Sequence, residues 1–428
     1  MSPWRLVLVI CLPIFLISAS LSSEAFVFYG QSGKFLSGNV VWIGFWAIMA
    51  FIIGAALGEN LGAGPTAQQK LAMPKQAVAL VPWYIPASDM NYTLAVMFGI
   101  VAVCYAIFLL PAAQNPGLVV ELFMGSTSAM FVLRETLNQV AGITSFISLQ
   151  SLCGVLLLLY PRLTGVRQAP RWLWVLMVIV AVFCVLRGFL WSERIAILEL
   201  FLPMMVTYAA LVDPKRRRWL DFAPLLGLVG VFGLFALGEY FRSWQFHQSN
   251  ANFGGFWEFA LLRFAGYYAT ALNNGAAAVQ FQDAFYWPTL TAMWFYKLPV
   301  WAWVGIPMEL PTGWVLDLLK LYGNEELNNP SGIFLPVVDF GVVLGAVCWL
   351  VLGGATGWLY RLFAKGDMLG MLLYPTWFYG VAEVLRVFYW GNQRYFPILL
   401  VTFLVVFYLG RRRRLVREAD ERMQGLAD

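Results

Sequence analysis

Charge is what this sequence has least of. Charged residues make up 12% of its 428 positions and apolar ones 61%, where a soluble globular chain carries roughly 25% and roughly 45–50%. There is too little polar surface to cover a water-soluble particle of this size, which excludes a cytosolic enzyme and a secreted domain. Disorder is excluded as well, because a disordered chain is poor in apolar residues. Histidine occurs once and cysteine five times. Cys11, Cys104, Cys153, Cys184 and Cys348 each lie in an apolar run without a C-x-x-C pair, so a His/Cys zinc site is implausible and the thiols read as small buried hydrophobes. There is also no Walker-type phosphate loop, no His/Asp/Glu cluster at metal spacing and no serine nucleophile elbow, which argues against an ATP-driven pump or a metallohydrolase. Neither a metal nor a cofactor is expected. The net charge of +5 is no nucleic-acid signal, since the basic residues sit at the ends of apolar runs.

What is present is a series of apolar stretches. A bilayer core takes about 20 apolar residues as a helix. About ten stretches qualify, near 4–22, 38–58, 92–113, 140–160, 171–191, 195–212, 220–238, 335–359, 369–390 and 395–410. The first is read as a helix and not as a signal peptide, because no small-x-small cleavage site follows it. With the N-terminus cytoplasmic, most of the 28 basic residues fall inside, including the runs Lys215–Arg218 and Arg411–Arg414. The positive-inside bias therefore predicts N-in and C-in. The expected fold is an all-α polytopic membrane protein in three segments. Residues 1–238 form a bundle of about seven helices, 239–334 form one large exported-side loop with interfacial helices, and 335–428 supply about three more helices and a basic cytoplasmic tail. The loop is dense in aromatics, among them Trp244, Phe256, Trp257, Tyr267, Tyr268, Trp287 and Trp303, a composition that favours the headgroup level. Its stretch from Trp287 to Leu310 is apolar, but Pro288, Lys297, Pro299 and Pro307 interrupt it, and it reads as interfacial or re-entrant.

The few charges expected on the exported side are mostly arginine: Arg134, Arg187, Arg194, Arg242, Arg263, Arg386 and Arg394. A guanidinium stays charged when partly desolvated, and its fork pairs bidentately with phosphate. Such a set suits a lipid-linked pyrophosphate. The structural alternative is that each arginine snorkels to headgroups or pairs locally, as Arg386 can with Glu383 at i, i+3. Acid–base candidates are His247, whose imidazole can take a hydroxyl proton, and the carboxylates Glu258, Asp283, Asp339 and Glu383. Asp339 lies near the exported end of the eighth stretch, where an ionised carboxylate needs a partner. Glu135 and Glu193 each adjoin an arginine and read as its holders.

Several short segments, in order along most of the chain, carry a resemblance. They are Trp191-Ser192-Glu193-Arg194-Ile195-Ala196, then Phe241-Arg242-Ser243 followed by Arg263 and Tyr267-Tyr268-Ala269-Thr270-Ala271-Leu272. After the loop come Asn328-Asn329-Pro330-Ser331-Gly332, Asp339-Phe340-Gly341-Val342-Val343-Leu344-Gly345 and Gly354-x-x-Gly357. With many spans and one dominant late loop, this resembles the bacterial oligosaccharide repeat-unit (O-antigen) polymerases. The resemblance implies glycosyl transfer at the periplasmic face of the inner membrane, from a glycan on undecaprenyl pyrophosphate to a hydroxyl of the next lipid-linked repeat unit. It implies no nucleotide sugar and no metal. The partners would be the lipid-linked oligosaccharide, membrane lipids and a chain-length regulator, with no nucleic acid. Arg194, Arg242 and Arg263, supported by Arg134, Arg187 and Arg386, would hold the pyrophosphate, with His247 or Asp339 as base. Two alternatives stand beside it. One is an O-antigen ligase delivering the glycan to a lipid A core, and the other a lipid-linked oligosaccharide flippase, which the charge-poor span centres disfavour.

Overall fold

The computed structural model describes residues 2–61, 83–124, 129, 132–133, 136–137, 140, 142–190, 194–212, 223–244, 247–248, 253–306 and 313–425. Within these, the side chains of 189, 194, 223–226, 241–242, 299, 302, 313–316, 325 and 416–425 are not described. The described chain is all-helical. We number the main helices α1 (Pro3–Ser20), α2 (Ser23–Phe28), α3 (Gly38–Asn60), α4 (Ala87–Gln114), α5 (Pro116–Phe123), α6 (Leu149–Thr164) and α7 (Arg171–Leu190). They continue with α8 (Arg194–Leu211), α9 (Ala223–Glu239), α10 (Phe256–Phe281), α11 (Gly313–Tyr322), α12 (Leu335–Lys365), α13 (Met368–Ala382) and α14 (Tyr395–Gly425).

Seven helical segments among the described residues are long and apolar enough to cross a membrane: Pro3–Ser20, Gly38–Asn60, Ala87–Gln114, Thr144–Thr164, Arg171–Gly188, Leu335–Lys365 and Tyr395–Leu415. Each overlies one of the apolar stretches of the sequence. The remaining three stretches lie on α8, α9 and α13, which are helical but shorter. Near 287–310 the described chain forms only two single turns, Met293–Tyr296 and Pro299–Trp303.

The helices fall into two compact units. The first comprises 1–63, 221–361 and 377–395. Its N-terminal helix carries a π-turn at Val7–Cys11 just before Pro13, as expected where a proline has no N–H for the carbonyl four residues back. The unit is seamed by glycines. A Cβ on Gly54 would strike the carbonyl of Leu350, and one on Gly58 that of Gly354. Across the same seam, Gly353 faces the carbonyl of Phe51 and Gly357 that of Ala55. The repeat Gly54-x-x-x-Gly58 against Gly353-x-x-x-Gly357 thus brings the α3 and α12 backbones together, the small-residue packing that replaces hydrophobic drive inside lipid.

The unit also contains α10, a 26-residue helix inside the segment read from sequence as a loop with interfacial helices. Its first half is aromatic. Its second half, Ala269-Thr270-Ala271-Leu272-Asn273-Asn274-Gly275-Ala276-Ala277-Ala278, is buried throughout. Asn273 Oδ1 accepts from the N–H groups of Phe35 (2.7 Å) and Leu36 (2.8 Å), and its Nδ2 donates to Gly33 O at 2.8 Å and to Gln31 Oε1. Asn274 Nδ2 donates to the carbonyls of Leu327 (2.8 Å) and Asn329 (3.1 Å), and its Oδ1 accepts from Gln31 Nε2 at 2.8 Å. Two adjacent asparagines therefore pin the 31–36 and 327–329 loops to one helix, and their buried amides are satisfied by doing so.

The second unit comprises 64–220, 362–376 and 396–428. Helix α6 is its centre: it is almost wholly buried and packs against α4, α7 and α8. Tyr105 donates to Gln150 Oε1 at 2.6 Å, and Gln150 and Cys184 both donate to the carbonyl of Ala196, at 3.5 and 3.1 Å. Arg162 donates to Gly366 O at 2.8 Å and stacks over the Trp83 ring at 5.0 Å.

Candidate functional site

Helix α10 places Phe259, Arg263 and Tyr267 at i, i+4 and i+8, one above the other on a single face. The three define a strip within the first unit that gathers most of its chemistry. At one end His247 lies against Phe259, with ring centroids 5.2 Å apart, and touches Phe253 at 6.0 Å. In the middle, Arg263 sits 5.7 Å over the Phe259 ring. Its Nε pairs with Glu239 Oε2 at 2.8 Å and its Nη2 with Glu326 Oε2 at 2.6 Å. At the other end Arg386 lies 5.3 Å over Tyr267 and pairs with Glu383 Oε2 at 3.0 Å. Tyr267 is therefore a shared neighbour of both arginines, and it closes an apolar cluster of Phe235, Leu327, Tyr29 and Phe264.

The charges of this strip are matched in different ways. Glu239 is fully buried, whereas the Glu326 side chain is 55% exposed. Burial lowers the pKa of Arg263, but Glu239 and then Glu326 outweigh it and hold the group above its ordinary value. Arg386 follows the same pattern, with Glu383 outweighing the effect of burial. The Tyr268 phenol, beside this pair, is pushed up chiefly by burial and secondly by the Glu383 charge. The strip holds two cationic forks in a desolvated wall of rings, where each electrostatic contact is stronger than in water.

The other sequence candidates are placed as follows. Arg386 makes the local i, i+3 pair with Glu383 that the spacing offered. Asp339 lies at the broken start of α12, where Gly341 has φ 77°, and it is fully buried. Its carboxylate accepts from the N–H of Leu290 (2.9 Å), the N–H of Thr291 (2.7 Å) and the Thr291 hydroxyl (2.6 Å). It anchors the crossing segment that also donates from Phe285 N to Val338 O. Glu258 accepts from the N–H of Gly254 at 2.8 Å, closing the first turn of α10. Arg187 belongs to the second unit, buried in the last turn of α7 with its guanidinium 5.3 Å over Phe108. Arg134, Glu135 and Glu193 lie outside the described residues, as do the side chains of Arg194, which opens α8, and of Arg242, in the π-turn Tyr240–Trp244. The two units divide the described arginines of the set: Arg242, Arg263, Arg386 and Arg394 in the first, Arg187 and Arg194 in the second.

Sequence reasoning missed Glu239, Glu326, Phe259 and the Asn273–Asn274 pair. Glu239 had a signal, a carboxylate ending an otherwise uncharged apolar run (Phe235-Ala236-Leu237-Gly238-Glu239), where it needs a cation. The adjacent asparagines in an alanine-rich stretch were a second signal. Glu326 had none, because its partner is 63 residues away. Among the described residues no group of three His, Cys, Asp or Glu side chains is arranged to hold a metal ion. No family model, curated protein or solved structure matches the chain significantly.

Proposed function

We propose that the chain is a metal-independent membrane glycosyltransferase of the repeat-unit polymerase kind. It acts on undecaprenyl-pyrophosphate-linked oligosaccharide at the periplasmic face of a bacterial inner membrane. The observation that carries this reading is the α10 strip, where two arginine forks flank Tyr267 and the only histidine stands one ring from Arg263. In this reading the acceptor hydroxyl oxygen attacks the anomeric carbon of the donor glycan, and the bond from that carbon to the pyrophosphate oxygen breaks. The proton passes to an imidazole nitrogen of His247, and undecaprenyl pyrophosphate leaves with its charge stabilised by Arg263 and Arg386. In this reading His247 takes the base role, and Asp339, with its oxygens engaged by Leu290 and Thr291, positions the chain.

The topology belongs to the same reading: ten spans, both termini cytoplasmic, with α8, α9 and α13 as the short members. At 1.5 Å per residue the 18-, 17- and 15-residue helices are about 27, 26 and 23 Å long, under a hydrocarbon thickness of about 30 Å, and local thinning covers the difference at fractions of a kcal/mol per Å. The test is glycan length on the lipid carrier in cells carrying His247→Ala. Chains stalled at one repeat support a polymerase, and long lipid-linked chains that never reach the surface indicate a ligase. Normal polymer in both His247→Ala and an Arg263→Lys, Arg386→Lys double variant overturns the assignment.

A further inference from the structure

Arg263 meets its two carboxylates in unlike settings. Glu239, at 2.8 Å from Nε, is fully buried and ends α9, so it is a permanent counter-ion. Glu326, at 2.6 Å from Nη2, is more than half exposed. The backbone beneath it is fixed without it. Asn324 caps the Glu325–Leu327 turn by accepting from Glu326 N–H at 2.9 Å, and Asn324 Nδ2 donates to Tyr29 O at 3.0 Å. Asn274 holds the carbonyl of Leu327. None of these anchors depends on the Glu326 side chain, and an ion pair whose acid is 55% exposed while its arginine is 12% exposed is worth about 1 kcal/mol, the upper end for surface pairs. A phosphate oxyanion brings more charge and more acceptor oxygens to the same N–H.

Resting on the reading above, we infer that Glu326 is an internal competitor that occupies the outer N–H of Arg263 until an oxyanion of a phosphate or pyrophosphate ligand displaces it. Glu239 stays in place and keeps the guanidinium oriented. A competitor that must leave for every ligand penalises each by the same factor. Removing it therefore tightens chemically different pyrophosphates equally, by up to about fivefold for a pair of this strength.

The test is binding of farnesyl pyrophosphate and of inorganic pyrophosphate to the purified full chain in detergent, wild type against Glu326→Gln. The turn's anchors are untouched by that change, and a melting curve confirms the fold. The expected result is tightening by a common factor for both probes, or for farnesyl pyrophosphate alone if the site takes its anion only from a lipid. Arg263→Lys in the Glu326→Gln background should cancel the gain. Wild-type binding that Glu326→Gln leaves unchanged or weakens overturns the competitor role while sparing the pyrophosphate reading. Binding of neither probe by either protein overturns both. A gain that survives Arg263→Lys places the effect elsewhere and overturns the inference.

Discussion

Arg263 Nε and Glu239 Oε2 lie 2.8 Å apart with the carboxylate wholly out of solvent. A buried pair of this kind adds little net stability when whole, but losing one partner leaves an uncompensated charge and costs about 3–5 kcal/mol. Arg263→Gln should therefore lower the thermal unfolding midpoint in detergent sharply. Adding Glu239→Gln should restore much of it, since two neutral amides can hydrogen-bond in the same space. Glu326→Gln, at the exposed end of the same guanidinium, should shift the midpoint only slightly. Equal effects of Glu239→Gln and Glu326→Gln would show that burial does not separate the two.

The glycine seam gives a prediction independent of function. A Cβ at Gly58 would fall on the carbonyl of Gly354, and one at Gly357 on that of Ala55. These are backbone atoms of packed helices and have no side-chain freedom to yield. Gly58→Ala should force α3 and α12 apart at about 1–3 kcal/mol or more, and Gly58→Leu should abolish the monodisperse folded protein on size-exclusion chromatography. Gly99→Ala in α4 is the control, because open space surrounds that position. Equal loss in both would remove the seam as the cause.

Asp339 was a candidate base in the sequence and is an anchor in the fold. Asp339→Asn keeps the shape but turns one acceptor into a donor facing the N–H groups of Leu290 and Thr291. A buried donor left facing donors costs about 1–3 kcal/mol. The variant should lose folded yield and expose the 285–291 segment to limited proteolysis, with activity falling only in proportion to yield. A fully folded but inactive Asp339→Asn would return the residue to the chemistry.

The apolar stretches were legible because a span needs about 20 residues of one character, a signal that is local in sequence. All seven long apolar helices lie on stretches read that way. Helix α10 was not, since its mix of rings, alanines and asparagines lacks the hydropathy of a span and its burial comes from partners far along the chain. Arg386 with Glu383 was readable because i, i+3 geometry is local. Arg263 with Glu326 was not, because only the folded chain closes a separation of 63 residues. The arginines were picked out as a group by their side of the membrane. Only the fold separates Arg263 and Arg386, which share Tyr267, from Arg187, which stacks on Phe108 in the other unit.

Arg386 is held by two different forces, and they can be separated. Its charge pairs with Glu383 at 3.0 Å, while its planar guanidinium lies 5.3 Å over the Tyr267 ring. Lysine keeps the charge but loses the flat stacking surface. Arg386→Lys should thus retain the ion pair and lose the planar stacking on the ring, weakening the contact by about 0.5–2 kcal/mol in a desolvated site. Tyr267→Leu removes the same contact from the other side while keeping an apolar side chain in the cluster. If the stacking is what couples the residues, the double variant should be less destabilised than the sum of the singles by about that amount. In the glycosyltransferase reading, both singles should also shorten the polymer, because the fork that receives the pyrophosphate is no longer aimed by the ring. Strictly additive melting shifts would show that Tyr267 only fills space. Shortened polymer in Arg386→Lys with normal polymer in Tyr267→Leu would mean that the fork itself acts and that the ring does not orient it.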